Sequence, residues 1–400
     1  MAEPILITGA GILSAIGLNK EETLNSLLSA VTGIGPLKYL KTSHKEFPSG
    51  EVKLSNSEME QLLDIESGTP TTRTSLMGML ALKEALEEAK LKKEELKKCC
   101  FISGTTVGGM DKSEQYYLNF LADNSKNDFI ETHDCGACTE MIADHFGSFA
   151  FVSSISTACS SAANAIITGA ELIRNGLTDI AVVGGSECLT KFHLNGFNSL
   201  MILDKEQCRP FDETRAGLNL GEGAAYLVLE RESSALARKV NSLAVLSGYG
   251  NACDAFHQTA SSPDGEGAYL AMKQAIESAN LLPEEIQYIN AHGTGTQNND
   301  LSESMAMIRL FGKKIPYVSS TKSFTGHTTS ASGSIELVIS LLAMQNNFIP
   351  VNLNWKHKMK EGIEPVAELI DNIKINHLLC NSFGFGGNDS SILISKGAKE

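Results

Sequence analysis

The sequence predicts an α/β fold in which one strand–helix unit occurs twice and the two copies fuse into a single body. Three observations predict it. Short apolar runs of strand length alternate with longer stretches of helical periodicity from Pro4 to Ile394. The order strand, Gly-rich loop, strand, tight turn, small-residue helix and paired strands is run through once in residues 1–242 and again from Leu243. No Pro/Ser-rich linker divides the two passages, so the halves 1–242 and 243–400 are expected to pack together.

In chain order, Pro4 to Thr8 reads as a buried strand ending at a Gly9-Ala10-Gly11 turn. The turn resembles a dinucleotide loop, but Ser14 stands where the fingerprint requires glycine or alanine, and no strand with a terminal acid follows. Nicotinamide binding is rejected. Helices are expected at Lys20–Leu28 and Thr74–Lys90, the second with a Met/Leu/Ala core stripe. Cys99–Thr105 is the next strand, followed by the Gly108-Gly109 turn and a polar surface excursion from Asp111 to Thr132. Cys135-Gly-Ala-Cys138, with His145 nearby, lacks the second pair a zinc site needs and reads as a turn into a helix Thr139–Phe146. Strands Ile180–Val183 (then a Gly184-Gly185 turn) and Ala224–Glu230 close the first half. The second half supplies strand Ala244–Ser247, helix Ala268–Asn280, strands Ile286–Asn290 and Pro316–Ser320, helix Ala331–Met344 and the pair Leu378–Asn381 with Ser391–Ile394.

Composition narrows the function. The chain has 400 residues, 42% apolar and 20% charged, with 35 glycines against 10 prolines, as expected of packed elements joined by tight turns. A formal charge of −14 argues against a nucleic-acid partner, since a phosphate backbone needs a basic face. Nine scattered cysteines fit a reducing cytoplasm. The N-terminal segment lacks a basic n-region, and no apolar run approaches the ~20 residues of a membrane span.

The chemistry centres on Ser153–Gly169, SSISTACSSAANAIITG. A strand ends, small residues allow a sharp turn, and Ala162–Ile173 forms a buried helix whose positive end faces Cys159. That setting is expected to lower the thiol pKa from about 8.5 and make thiolate available at neutral pH. Two histidines hold comparable places in the second half: His292 ends a strand in NAHGTGTQNND, and His327 lies in STKSFTGHTTSASG before a small-residue helix. A buried cysteine is most often structural. A cysteine with two histidines, each beside Gly and Thr that leave room, points to acyl transfer through a thioester with extra stabilisation of negative charge. Lys322 adds a cation near the same turn.

The motifs STACSSAANAI, NAHGTGTQNND, STKSFTGH and NSFGFGGND together resemble the elongating β-ketoacyl-acyl carrier protein synthases of the Cys-His-His type, over essentially the whole chain. The resemblance implies a thiolase-like fold, a five-layered α-β-α-β-α sandwich of two duplicated halves, assembled as a dimer. It implies decarboxylative condensation of an acyl chain on Cys159 with a malonyl-acyl carrier protein to give a 3-oxoacyl product. His292 and His327 would stabilise the enolate, and the backbone N–H groups of Cys159 and Phe385 would form the oxyanion hole. Lys322 and Glu336 would form a supporting ion pair, and Thr294 and Thr296 would bind the phosphopantetheine arm. Gly384 to Gly387, with Gly384 and Gly386 beside the substrate, would form a gate around Phe385, and Phe383 would line the malonyl pocket. No metal and no resident cofactor is implied, because the arm belongs to the acyl carrier protein. Ser161, Ala162 and Ala163 are expected to permit a deep acyl pocket bounded by Phe192 and Phe197.

Three segments depart from the common pattern. Arg215-Ala216-Gly217 follows Arg209-Pro-Phe-Asp212 in place of Arg-Asp-Gly, and Gly386-Gly387-Asn388-Asp389 replaces GGTN. The helix that usually offers basic residues to the carrier protein is acidic here, Ser55–Glu66, which moves docking to Lys126, Arg209 and neighbours or to a partner subunit. HDCGACTEMIADHFG and GLNLGEGAAYLVLE also resemble the ketosynthases of aryl polyene and flexirubin pigment pathways, which pair with a chain-length-factor subunit. Fatty-acid elongation, polyene elongation and a noncatalytic chain-length factor are thus the three readings. Cys159, His292 and His327 together argue against the third.

Overall fold

A computed structural model describes residues 3–397. Ten strands are formed: β1 Ile5–Ser14, β2 Cys100–Gly104, β3 Phe151–Ile155, β4 Ile180–Glu187, β5 Gly223–Arg231, β6 Ala244–Cys253, β7 Tyr288–Asn290, β8 Tyr317–Ser319, β9 His377–Gly384 and β10 Asn388–Ser395. They hydrogen-bond in the order β3-β2-β4-β5-β1-β6-β10-β9-β7-β8. Adding five to each strand number of the first half gives the second half, read outward from the middle. The repeated grammar of the sequence is therefore a pseudo-twofold in the sheet.

The halves join at β1 and β6, which pair only at Leu6–Val245 and Ile7–Ala244 before they diverge. Divergence strands N–H groups of β1, and buried donors must find partners. Two carboxylates supply them: Glu88 accepts from Ala10 N–H at 2.9 Å and Glu84 from Ile12 N–H at 3.0 Å. Both belong to helix Arg73–Glu88, whose polar face the sequence assigns to solvent.

The helices complete five layers. Arg73–Glu88 covers β1 and β5 on one outer side, and Glu266–Ser278 covers β6 and β10 on the other. Ser161–Arg174 and Ser332–Asn346 lie in the middle, against strands and against each other. The second is buried continuously from Ser332 to Met344, so its apolar residues show no one-sided stripe.

Several expectations change. Gly9-Ala10-Gly11 is not a turn; it lies inside β1 because the outer helix sits directly on the strand. A Cβ on Gly9 would lie 2.3 Å from the Ala85 carbonyl, and one on Gly11 2.1 Å from that of Ala81. The second half repeats the device: a Cβ on Gly248 would lie 2.2 Å from the Ala275 carbonyl oxygen, and one on Gly250 2.2 Å from that of Ala271. Gly184-Gly185 likewise lies within β4. The helix begun at the C-x-x-C starts at Cys135 rather than Thr139, with Cys138 buried against Thr72 Oγ1 at 3.2 Å. The excursion after Asp111 is largely a helix, Met110–Ala122, showing Tyr117, Leu118, Phe120 and Leu121 to solvent. Among the described residues no helix is long and apolar enough to cross a membrane.

Candidate active site

Cys159 sits where β3 turns into the central helix Ser161–Arg174. The turn needs a left-handed residue, Ala158 at φ +53°, which brings Cys159 beneath the helix N-terminus. His292 follows β7 directly, and its loop is fixed from behind: Glu303 accepts from His292 N–H at 2.9 Å and Gly293 N–H at 2.8 Å, while Asn381 Nδ2 donates to it at 3.1 Å. His327 follows Gly326, its N–H donating to the Asn219 carbonyl at 2.7 Å.

These three segments meet at one cavity of about 360 Å³, lined by Cys159, His292, His327, Thr294, Phe383 and Phe385 among others. Cys159 Sγ lies 3.0 Å from His327 Nε2. The imidazoles of His292 and His327 meet edge to face, with centroids 5.2 Å apart. Phe383 packs beside His292, and Phe385 stacks on Phe197 at 5.9 Å. The Phe385 N–H is directed at the Cys159 sulfur. Thr294 and Thr296 share a hydroxyl contact of 2.9 Å at the cavity wall, and Gly384 and Gly386 complete the lining.

The two histidines are wired differently. Lys322, 1% exposed, is ion-paired with Glu336 and lies 3.3 Å from His292 Nδ1. An ammonium group can only donate, so Nδ1 accepts and the proton of neutral His292 rests on Nε2. His327 Nδ1 instead faces the Ser332 hydroxyl at 3.0 Å. A hydroxyl donates or accepts, so His327 has a partner in either tautomer. One ring is a fixed donor, and the other can take a proton and give it back.

Burial, assisted by the Lys322 charge, holds both imidazoles well below the usual histidine range, and they are neutral at physiological pH. Burial also pushes the Cys159 thiol up to about 11, although Lys322 and the Phe385 N–H favour thiolate. This corrects the expectation of a resting thiolate: desolvation outweighs Lys322 and the Phe385 N–H, and the thiol is neutral beside a proton acceptor. Glu336 is pushed up to about 7 by burial against the pull of Lys322. One ligand atom each from Cys159, His292 and His327 lies within 4.8 Å of the others, a spacing a metal ion would accept. The Lys322 ammonium on His292 opposes a second cation and suits a developing anion instead.

The structure thus brings together Cys159, His292, His327, Lys322, Glu336 and Phe385, with Thr294, Thr296, Phe383, Gly384 and Gly386. Four details differ. Phe197 lines the cavity, but Phe192 is exposed. Ser161, Ala162 and Ala163 are buried in the helix start and serve packing rather than a pocket; a Cβ on Gly333 of the facing helix would lie 2.8 Å from Ala163 N. Arg209 is engaged with Asp204 at 3.4 Å and Glu206 at 2.9 Å, which removes it from the free docking surface. The acidic segment forms helix Asn56–Leu62, capped by Ser55 and Glu58. Sequence reasoning missed Glu303 and Arg215. Arg215 donates to the Thr296 and Gln297 carbonyls at 3.2 and 2.9 Å and so holds the threonine loop. The available signal for Glu303 was an acid on the same helical face as Ala306 and Met307, a face that turns out buried.

Comparison with known proteins gives one family. The models for the β-ketoacyl synthase N-terminal and C-terminal domains match residues 2–235 and 243–356. The chain is 31% identical over 410 residues to 3-oxoacyl-[acyl-carrier-protein] synthase 2 of Staphylococcus aureus (strain COL), covering 98% of both chains. It is 32% identical over 408 residues to the synthase 2 of Synechocystis sp., again with 98% of both covered. Among solved structures, the ishigamide ketosynthase/chain length factor superposes with a TM-score of 0.93 at 27% identity over 100% of both chains. A Xenorhabdus doucetiae ketosynthase in complex with its chain length factor gives 0.85 at 29%, covering 99% of this chain and 98% of that one.

Proposed function

The chain belongs to the β-ketoacyl synthase family, acyltransferases of thiolase-like fold that perform the condensing step of chain elongation, and we propose that its reaction runs on Cys159, His292 and His327 as follows. Cys159 Sγ attacks the thioester of an acyl chain delivered by acyl carrier protein. Its proton passes to His327 Nε2 and on to the departing pantetheine sulfur, while the new C–S bond forms and the old one breaks. The Cys159 and Phe385 N–H groups receive the tetrahedral oxyanion. A malonyl thioester then enters, His327 shifts to the tautomer with its proton on Nε2 and Nδ1 accepting from the Ser332 hydroxyl, CO2 is lost, and the enolate oxygen accepts from the Nε2–H groups of His292 and His327. The enolate carbon attacks the Cys159 thioester, the C–C bond forms as the C–S bond breaks, Cys159 leaves as thiolate and takes up one proton from solvent, and a 3-oxoacyl thioester two carbons longer departs. No resident cofactor takes part.

The observation that carries this is the 3.0 Å thiol–imidazole contact beside a second imidazole whose Nε2–H is fixed by Lys322. Intact-protein mass spectrometry with acyl- and then malonyl-carrier protein tests it. Wild type gains the acyl mass and releases a product two carbons longer, and Cys159→Ala gains nothing. An adduct on the alanine variant would refute the assignment.

The carrier protein is placed on a basic crest beside the cavity mouth. Exposed Lys41, Lys45 and Lys191 line a surface hollow, and Lys205 lies near Glu46 on the same side. Helix Lys191–Ser199 runs from that hollow to Met201 on the cavity rim, where Met201 is 86% exposed and Leu200 42%. Lysines around an apolar tip suit an acidic helical partner on a chain of net charge −14. A second subunit is placed along β3, the half-exposed outer strand that leads into Cys159. The two structural relatives solved with chain length factors support a chain-length-factor subunit as the partner there. All nine cysteines are free, which supports action in the reducing cytoplasm.

A further inference from the structure

The hole for the tetrahedral oxyanion has its two walls on different halves of the chain. The Cys159 N–H belongs to the turn between β3 and helix Ser161–Arg174, and the Phe385 N–H to the loop between β9 and β10. Two N–H groups on separate elements serve one oxygen only if something fixes their spacing. The two segments touch: a Cβ on Gly384 would lie 3.0 Å from the Thr157 carbonyl oxygen and 3.3 Å from Ser160 Oγ. Contact stops them approaching further but does not hold them together. That takes a bond between turn and loop.

Asn388, the first residue of β10 and one of the departures from GGTN, supplies it. Its Oδ1 accepts from Asn164 Nδ2 at 2.7 Å and Asn251 Nδ2 at 3.1 Å, and it lies 2.7 Å from the Ser160 hydroxyl. Asn164 stands in the first turn of the central helix, and its amide also donates to Thr157 Oγ1 at 2.8 Å. Ser160 is fully buried and shares its one hydroxyl hydrogen between Asn388 Oδ1 and the Thr157 carbonyl at 2.8 Å. Asn388 therefore reaches the turn by two routes, through Thr157 before Cys159 and through Ser160 after it. The network also fixes its own orientation. Ser390 lies opposite Asn251 in the β6–β10 ladder, on the same face of β10 as Asn388. Asn251 Nδ2 and the Ser390 hydroxyl donate to Asn164 Oδ1 at 3.0 and 2.9 Å, which turns the Asn164 nitrogen toward Asn388 and Thr157.

We propose that Asn388 is a positioning residue for acyl transfer, holding the Phe385 N–H at the distance from the Cys159 N–H that the tetrahedral oxyanion requires. The proposal deepens the function given above and rests on its thioester chemistry at Cys159. The hydrogen bonds of the Asn388 side chain run to Ser160, Asn164 and Asn251 and to neither imidazole. Its loss should therefore fall on the steps that form a tetrahedral oxyanion, loading of Cys159 and C–C bond formation. Decarboxylation, whose enolate meets the two imidazoles, should be spared. Removing a hole donor outright costs about 10²–10³-fold, and a misplacement of about 1 Å costs about 10²-fold. A loosened donor should slow loading about ten- to a hundredfold.

Two reagents separate the hole from the nucleophile on the intact protein, each followed by mass. Hexanoyl-N-acetylcysteamine acylates Cys159 through a tetrahedral oxyanion: the bond to Cys159 Sγ forms, the bond to the N-acetylcysteamine sulfur breaks, and the Cys159 proton leaves on that sulfur. Iodoacetamide alkylates the same sulfur by displacing iodide and forms no oxyanion. Asn388→Ala should lose about ten- to a hundredfold in acylation and keep the wild-type rate of alkylation. Asn164→Ala, a substitution that favours the helix, should show the same split, and it decides the matter if Asn388→Ala does not fold. The double variant should lose no more than the more affected single, because both act through one link. Wild-type acylation by Asn388→Ala, equal losses toward both reagents, or a double loss equal to the product of the singles overturns the proposal. The probe needs neither carrier protein nor malonyl unit. A chain that takes the hexanoyl group but does not condense would refute the proposed function and leave this reading standing, whereas a wild type alkylated but never acylated would overturn both.

Discussion

The wiring of His292 predicts what losing Lys322 costs, and the cost falls on one half-reaction. Lys322→Met keeps the length of the side chain and removes its charge. From Nζ to His292 Nδ1 is 3.3 Å, and crossing the ring and one hydrogen bond puts the enolate oxygen roughly 7–8 Å from the ammonium. At an effective dielectric near 20 a unit charge at that distance stabilises the enolate by about 2 kcal/mol, or about fortyfold. The Glu336 charge behind Lys322 takes back part of this, and losing the tautomer lock adds a few-fold, so malonyl decarboxylation should fall between about tenfold and fortyfold. That is less than the 10²–10³-fold that removal of a whole oxyanion donor costs, because the imidazole stays. Acylation of Cys159 also loses the Lys322 charge, which favours its thiolate, but keeps His327 and the Phe385 N–H, and should fall less. The assay is single-turnover: acyl transfer followed by intact mass, then CO2 release from malonyl-carrier protein by the pre-acylated enzyme. Decarboxylation at the wild-type rate, or equal loss in both steps by a folded variant, would refute the division of labour between the two histidines.

Other outcomes follow from the same geometry. Because both imidazoles are held well below 6.5, decarboxylation by pre-acylated enzyme should show no titration at the usual histidine value down to pH 6; a limb at 6.5 would place one imidazole in solvent. Charge reversal at Lys191 and Lys205 should slow carrier-protein association by tenfold or more at low salt and flatten its salt dependence, leaving turnover at saturation intact. An unchanged association rate would move docking off the crest. Gly11→Ala should destabilise the protein by about 1–3 kcal/mol or more, since its Cβ would meet a carbonyl oxygen, and a thermal melt unchanged from wild type would contradict the strand–helix contact. Although burial opposes its charge, N–H donors from Lys356, His357 and Thr214 hold the Asp212 carboxyl down to about 2. Its contribution to stability is therefore present above about pH 4 and lost as pH falls toward 2. Asp212→Asn should remove that part of the acid transition.

How far the site was legible depended on whether a residue's partners were near it in sequence. Cys159 and His292 each sit just after a strand, and His327 follows the short helix Lys322–Thr325 that leaves β8; strand ends in an α/β body gather at one crevice, so short motifs were enough to bring them together. The Gly9 and Gly11 pair was read as a turn because a glycine in a loop and a glycine beneath a helix look alike until the helix is placed. The same holds for Glu84, Glu88 and Glu303. In sequence they are acids on amphipathic helices, and their use appears only once β1 has parted from β6 or the His292 loop has come within reach. Ionisation was the least legible property. A thiol at a helix N-terminus reads as activated, yet desolvation, which depends on everything packed around it, pushes the Cys159 thiol up despite Lys322 and the Phe385 N–H. Burial also raises Glu303, Glu336 and Asp389 above the usual carboxylate range. The reacting groups Cys159, His292 and His327 are neutral at rest. The charge appears during the reaction, first on the Cys159 sulfur and then on the enolate, and donors already aimed there meet it without reorganising.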